Sequence, residues 1–315
     1  MDDNTELVSI GIPTYNRADG YLSNTLESAL NQTYRNIDII VSDNGSTDFT
    51  EEVIKKYKDK RIRYFKHDKN IGANNNFNFC LEQARGAYFI LLHDDDLIDP
   101  DFIEICMRAL GDSQRPGFIR TGTRVIDSDG KVVSERVNVM QGKSFEEFII
   151  KWFENETSLY MCSTLFNTEL LKHIGGFESK THLYQDVIAE AILAAKYGRV
   201  DVYDVKASFR RHFNSRGKAK KIDEWNVDAH YLLETICDLI PTNKNTIRKI
   251  GLIYFSSQNY KRASRIPKFG DRWVTYFKVY KSFHYTYSPF RFWLPKIIKS
   301  KIKALKRRIK LVSLK

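Results

Sequence analysis

The chain has 315 residues, 42% of them hydrophobic, with 20 Phe and 17 Tyr, enough to bury a full core in one large domain or in one domain with an appendage. Its net charge of +11 is concentrated: residues 291–315 carry ten Lys or Arg and no acid, so the rest is almost neutral and no basic groove for nucleic acid is expected. Cys80, Cys106, Cys162 and Cys237 show no CxxC spacing, the first residues are acidic and polar, and no apolar run approaches ~20 residues; together these speak against a zinc knuckle, a disulfide framework, a leader or a spanning helix, and for a cytoplasmic protein.

Strand patterns at 7–12, 37–42, 62–66 and 87–92 alternate with helical patterns at 21–32, 51–57 and 76–84. This βαβ rhythm predicts an α/β fold, a mostly parallel sheet flanked by helices. Right-handed crossovers then bring Pro13-Thr14-Tyr15-Asn16, Asp43-Asn44-Gly45-Ser46, Asp68-Lys69-Asn70 and Asp94-Asp95-Asp96 to one edge. Further on, a strand at 118–126 meets a turn at Asp127-Ser128-Asp129-Gly130. A helix follows at 144–153, a loop at Gly175-Gly176-Phe177, a helix at 184–197 and a strand at 200–209. From about Ile222 the chain reads as helical, aromatic and basic.

Asp94, Asp95 and Asp96 close an apolar run and precede Leu97-Ile98-Asp99-Pro100. One Asp would serve a turn or a helix cap; three adjacent carboxylates raise one another's pKa and call for a cation, and Mg²⁺ or Mn²⁺ takes oxygen ligands of this kind. The carboxyl end of a buried strand is also where open α/β sheets place ligands.

With Ser9 to Arg17, Ser28 to Tyr34, Val41 to Asp48, Asn70 to Asn78, Ala84 to Tyr88, the Asp cluster and Gly175-Gly176-Phe177 before Gln185-Asp186 in that order, the chain resembles the family 2 glycosyltransferases. These are inverting enzymes of GT-A fold that use nucleotide-sugar donors and a divalent metal, Mn²⁺ or Mg²⁺. The resemblance implies that Pro13, Thr14, Tyr15, Asn16 and Asn44 line the nucleotide pocket and that Asp43 accepts a hydrogen bond from the base, most often uracil N3–H. It places Asp68, Asn70, Gly72, Asn78 and Gly176 near the donor's ribose, diphosphate or sugar. Asp95 becomes the metal ligand, with Asp94 on the ribose or completing the metal shell and His212 as a further ligand. Asp186 becomes the general base, although the same Asp would also suit a helix cap. Phe77 and Gln185 stand where many members carry Arg and Glu, so a diphosphate contact from an Arg is not carried over.

After Pro295, Ile298, Ile302, Leu305, Ile309 and Val312 recur at helical spacing among Lys and Arg. This cationic amphipathic pattern follows ten aromatics between Trp273 and Trp293 and predicts docking on an anionic membrane surface. The expected organisation is a GT-A catalytic domain at 1–220, with a nucleotide-sugar half to about 100 and an acceptor half beyond, and a helical C-terminal region at 221–315. The partners are then a nucleotide-sugar donor, a glycan or polyprenol-linked acceptor and the inner face of the cytoplasmic membrane. The competing readings are a metal-dependent nucleotidyl- or phosphotransferase, and a non-catalytic membrane or nucleic-acid binder that keeps the fold.

Overall fold

The computed structural model describes residues 6–18, 20–111, 115–211 and 221–294. The expectations that rest on His212 and on the basic pattern after Pro295 lie outside the described residues. The chain divides into two compact units, 1–215 and 216–315.

In the first unit, β1 (Val8–Thr14), α1 (Tyr21–Leu30), β2 (Ile37–Asp43), α2 (Thr50–Lys55), β3 (Ile62–Lys66), α3 (Ala73–Gln83) and β4 (Tyr88–Leu91) follow one another in the predicted alternation. β3, β2, β1 and β4 are neighbours in that order and all parallel. The register that pairs Thr14 with Asp43 and Gly11 with Leu91 brings the carboxyl ends of these strands to one edge. Ile10, Ile12, Ile39 and Val41 turn one face of the sheet toward Leu22, Leu26 and Ala29 of α1, as the period of two in a strand and 3.6 in a helix requires. On the opposite face α3 lies so close that a Cβ on Gly11 would sit 2.8 Å from Cys80 Cβ and from the Phe89 ring.

Beyond β4 the sheet becomes mixed. It continues β8 (Thr164–Asn167), β6 (Phe118–Ile126), β9 (Arg199–Arg210) and β5 (Leu97–Ile98), with β7 (Val132–Arg136) on the far end of β6. β8 and β5 run antiparallel to their neighbours while β6 and β9 are parallel, so β9 ends on the same edge as β1 to β4. The short β5 and β8 carry too few residues to show a period and were not expected from the sequence. α4 (Phe102–Ala109), α5 (Phe145–Phe153), α6 (Thr168–His173) and α7 (Gln185–Tyr197) complete the unit. Ser144 caps α5 with a reciprocal bond from Glu147, the arrangement that fixes a helix start locally. The architecture is the mixed α/β sheet with flanking helices that the GT-A resemblance implies.

The second unit holds α8 (Ile222–Leu239), α9 (Lys244–Ala263) and α10 (Phe269–Ser282), packed through Leu232, Leu233, Ile236, Phe255, Tyr260, Tyr276 and Phe283. Among the described residues, no helix is long and apolar enough to cross a membrane.

Candidate active site

Four loops meet at the carboxyl edge of β1 to β4. The first follows β1. Asn16 takes up a left-handed conformation, φ 50°, and its Oδ1 accepts the Thr47 N–H at 2.9 Å while its own N–H donates to Ser46 Oγ at 2.8 Å. Asn tolerates that backbone region because its short amide bonds locally. Pro13 and Thr14 are buried in β1 and Tyr15 is exposed beside them.

The second loop follows β2. Asp43 is fully buried: Oδ1 accepts the Ser46 N–H and Oδ2 the Tyr64 hydroxyl, each at 2.8 Å. Burial and the Asp43 charge push the Tyr64 phenol well above its ordinary pKa, so it stays a donor at neutral pH. Asn44 ties this loop to the third, since its Oδ1 accepts the Ile71 N–H at 2.8 Å and its Nδ2 donates to Asn70 Oδ1 at 3.1 Å. Asn70 also accepts the Gly72 N–H at 2.8 Å. Asp68 and the backbone of Gly72 face solvent at the start of α3.

The fourth loop is the acidic turn. Asp94 and Asp96 are buried and Asp95 half-buried. Asp96 Oδ1 accepts the Arg210 N–H from the end of β9 at 2.8 Å, and Oδ2 lies 3.7 Å from His93 Nδ1. Arg17 supplies the cation that the cluster demands: its Nε lies 3.3 Å from Asp94 and its terminal nitrogen 3.5 Å from Asp95. Burial pushes the Asp94 carboxyl up to about 6 against the pull of Arg17, while Asp95 adds to the rise. For His93, burial disfavours the charged ring, but Asp96 and then Asp95 and Asp94 outweigh it and hold the imidazole up at about 9.

The donor atoms of His93, Asp95 and Asp96 lie within 4.8 Å of one another, and the buried His93 Nε2 has no hydrogen-bond partner among the described residues. One imidazole and two carboxylates form a donor set that suits a divalent ion such as Mn²⁺. Of the metal ligands expected from the sequence, Asp95 belongs to this trio, whereas Asp94 is turned toward Arg17. His93 and Asp96 join it for a reason the sequence does not display: the tight turn from His93 O to Asp96 N, 3.0 Å, folds i and i+3 together.

Arg210, at the end of β9, is spent on structure. Its Nε donates to Asp95 O at 2.8 Å, its terminal nitrogen reaches Asp127 O at 3.3 Å, and its head lies 4.7 Å from the Tyr21 ring centroid. Asn78 and Gly176 are likewise used in packing. Asn78 exchanges two bonds with the Phe177 backbone at 2.9 and 3.1 Å, joined by Asn74 Nδ2 at 2.9 Å. Gly176 has φ 76°, and a Cβ there would stand 2.6 Å from Asn78 Oδ1. This docking holds the chain to the first turns of α3 just before it runs on to α7.

Asp186 is half-buried in the first turn of α7, where the helix dipole favours a carboxylate. One turn deeper Glu190 is buried, accepts the Thr164 hydroxyl at 2.8 Å through Oε1 and leaves Oε2 without a hydrogen-bond partner among the described residues. Behind it Arg120, 1% exposed, donates to Asn138 Oδ1 at 2.8 Å and Asp201 Oδ1 at 3.1 Å. These buried charges fix the inner end of α7 against β6 and β9.

Sequence reasoning overlooked Tyr64 and assigned Arg17 no role. The need of three carboxylates for a cation was the available signal for Arg17. For Tyr64 there was none, because its partner is set by the β2–β3 register.

An uncharacterised glycosyltransferase from Rickettsia typhi, RT0329, is 36% identical over 191 residues, 58% of this chain and 59% of the relative. Chondroitin synthase from Escherichia coli is 34% identical over 134 residues, covering 42% of this chain and 19% of that enzyme. The chain thus spans about three fifths or less of the length of the curated relatives it matches. Among solved structures, S. aureus TarS 1–349 in complex with UDP-GlcNAc superposes with a TM-score of 0.64 at 16% identity, over 90% of this chain and 82% of TarS 1–349. Since the family model for glycosyl transferase family 2 matches residues 9–175, more than half of the chain, the protein belongs to glycosyl transferase family 2.

Proposed function

We propose that the protein is an inverting glycosyltransferase that moves a sugar from a nucleotide-sugar donor, a UDP-sugar, to a glycan or polyprenol-linked acceptor of cell-surface polysaccharide. The observation that carries this reading is the acidic turn at residues 93–96, set on the same sheet edge as the Asn16, Asp43 and Asn70 loops. Residues 1–220 form the catalytic domain, and 221–315 serve a peripheral association with the inner face of the cytoplasmic membrane.

Tyr15 packs on the base, and Asp43 reads a base N–H when the Tyr64 hydroxyl yields its place on Oδ2. The exposed Asp68 and Asn70 side chains meet the ribose and diphosphate. Asp95, with His93 and Asp96, holds Mn²⁺ or Mg²⁺, which when bound neutralises the charge of the departing diphosphate. Asp186 accepts the proton of the acceptor hydroxyl as that oxygen bonds to the anomeric carbon. The bond from that carbon to the diphosphate oxygen breaks with its electron pair, and configuration inverts. General-base help of this kind contributes about 10²- to 10⁴-fold. Asn78 and Gly176 keep the Phe177 turn, and with it the approach to Asp186, in register.

Release of nucleoside diphosphate from a panel of nucleotide sugars, with Mn²⁺ or Mg²⁺ and slow donor hydrolysis in place of the acceptor, tests the reading. Metal-dependent UDP release from one donor, lost in both Asp95→Ala and Asp186→Ala while circular dichroism stays that of the parent, is expected. Release undiminished in Asp186→Ala removes the base from this residue. Release of inorganic phosphate or nucleoside monophosphate in place of UDP moves the protein to phosphotransfer chemistry.

A further inference from the structure

The second unit sorts its aromatics into two sets. Tyr276, Phe283 and Phe292 are buried against Tyr260, with ring centroids 5.4 Å apart for Tyr260–Tyr276 and 5.2 Å for Tyr260–Phe292. They are core, and they hold the segment after α10 back on the helices. The other set faces outward: Phe269, Val274, Phe277, Phe290 and Leu294 are each 50–64% exposed. These are not scattered side chains. Trp273 is the hub of one platform, with Phe290 at 5.1 Å, Trp293 at 5.9 Å, Phe277 at 6.1 Å and Phe269 at 6.2 Å. On α10 the exposed apolar side chains Val274 and Phe277 fall at i and i+3, one short apolar stripe of the helix. A contiguous apolar face left in water marks an interaction surface.

Charge selects the partner. Lys278 and Lys281 flank the stripe and are exposed. Residues 261–294 carry eight Lys or Arg against Asp271 alone, and 295–315 add nine more without an acid. An occupant must be apolar at the centre and anionic around it, which an anionic bilayer supplies: rings and aliphatic side chains enter the acyl boundary while lysines stay at the headgroups.

We propose that the outer face of α10, with Phe290 and Leu294 beside it, is the surface by which this protein docks on an anionic lipid bilayer. This deepens the membrane association proposed above and is independent of the transfer chemistry. Docking resides in a folded face and does not rest on the basic segment after Pro295 alone.

The test is flotation of the full chain with neutral phosphatidylcholine vesicles and with vesicles containing about one third anionic phospholipid. Val274→Glu/Phe277→Glu alters two exposed positions, and Val133→Glu, exposed on β7 in the other unit, is the control. The expected result is binding to anionic but not neutral vesicles, weakened about tenfold or more in the double variant and unchanged in Val133→Glu. UDP release in solution stays at the parent level in all three proteins, so that a failure to dock is distinguished from a failure of the enzyme. Equal flotation of parent and double variant overturns the proposal and leaves docking to the basic segment. So does equal binding to neutral and anionic vesicles. A parent that elutes as a dimer while the double variant elutes as a monomer would assign the face to a second copy of the chain instead.

Discussion

Asp43 and Tyr64 give a crossed prediction. Asp43 is fully buried and each of its oxygens already holds one donor, Ser46 N–H and Tyr64 O–H, both at 2.8 Å. A carboxylate has about four lone-pair sites, so it can take a base N–H in addition, or in place of the Tyr64 hydroxyl. Asp43→Asn keeps an acceptor for Ser46, and Tyr64 can rotate its hydroxyl to accept from the new amide, so little stability is lost. The amide hydrogens, however, oppose an incoming N–H. Loss of a hydrogen bond to a charged group, about 1.5–3 kcal/mol, corresponds to a UDP dissociation constant about 10- to 150-fold higher. Tyr64→Phe does the reverse. It removes a bond to a buried charge and costs about 1.5–3 kcal/mol of folding stability, but it also removes the competitor for Oδ2, so UDP binds as tightly as in the parent or more so. Calorimetric titration with UDP and urea unfolding of the first unit read the two effects separately. An Asp43→Asn variant that binds UDP like the parent would refute base recognition by Asp43 and leave it the task of holding the turn at Ser46.

Two further outcomes follow from the packing around Asp186. Burial lifts the Glu190 carboxyl from an ordinary 4.5 to about 7; the ionised form is therefore penalised in the folded state above about pH 7, and the penalty vanishes below about pH 4.5, where the group is protonated both folded and unfolded. Glu190→Gln, which keeps an acceptor for Thr164, is expected to be about 3 kcal/mol more stable than the parent at about pH 8 and equal to it at about pH 4.5; urea unfolding at the two pH values checks this, and a gain of the same size at both would contradict it. Gly176→Ala meets both a left-handed backbone and the Asn78 amide 2.6 Å away. It is expected to lose about 2 kcal/mol or more, and a shift below about 0.5 kcal/mol in the same assay would show that the Phe177 turn is not clamped as described.

Where the sequence was informative, local physics was the reason. The strand β6 was read to the residue, because a run of nine residues, six of them β-branched or aromatic, leads straight into the Asp127 to Gly130 turn. The start of α5 was legible because Ser144 and Glu147 make their cap within four residues. The start of α3 was read late, at 76 instead of Ala73, since the Asn run that opens it has poor helix propensity and is held by the Phe177 and Ser42 backbones, far away in the chain. The acidic turn was found by composition alone. Its partners were not: His93 and Asp96 meet through a turn, Arg17 arrives from β1 and Arg210 from β9.

The sequence by itself determined the α/β rhythm, the edge on which the loops meet, the acidic turn and the family, because strand alternation, turn chemistry and crossover handedness are local rules that a single chain displays. Only the tertiary structure decided which side chains stand open at that edge and which hold the frame. Asn78, Gly176 and Arg210 stand in or beside the motifs that mark the site, yet their polar atoms or their space are taken by residues from 98 to 115 positions away. The same holds for the aromatics of the second unit, where Tyr276 and Phe277 are neighbours in sequence and the first is buried while the second faces out. A donor or an apolar ring has no role until its neighbours have claimed it or left it exposed, and those neighbours are set by strand register and helix packing.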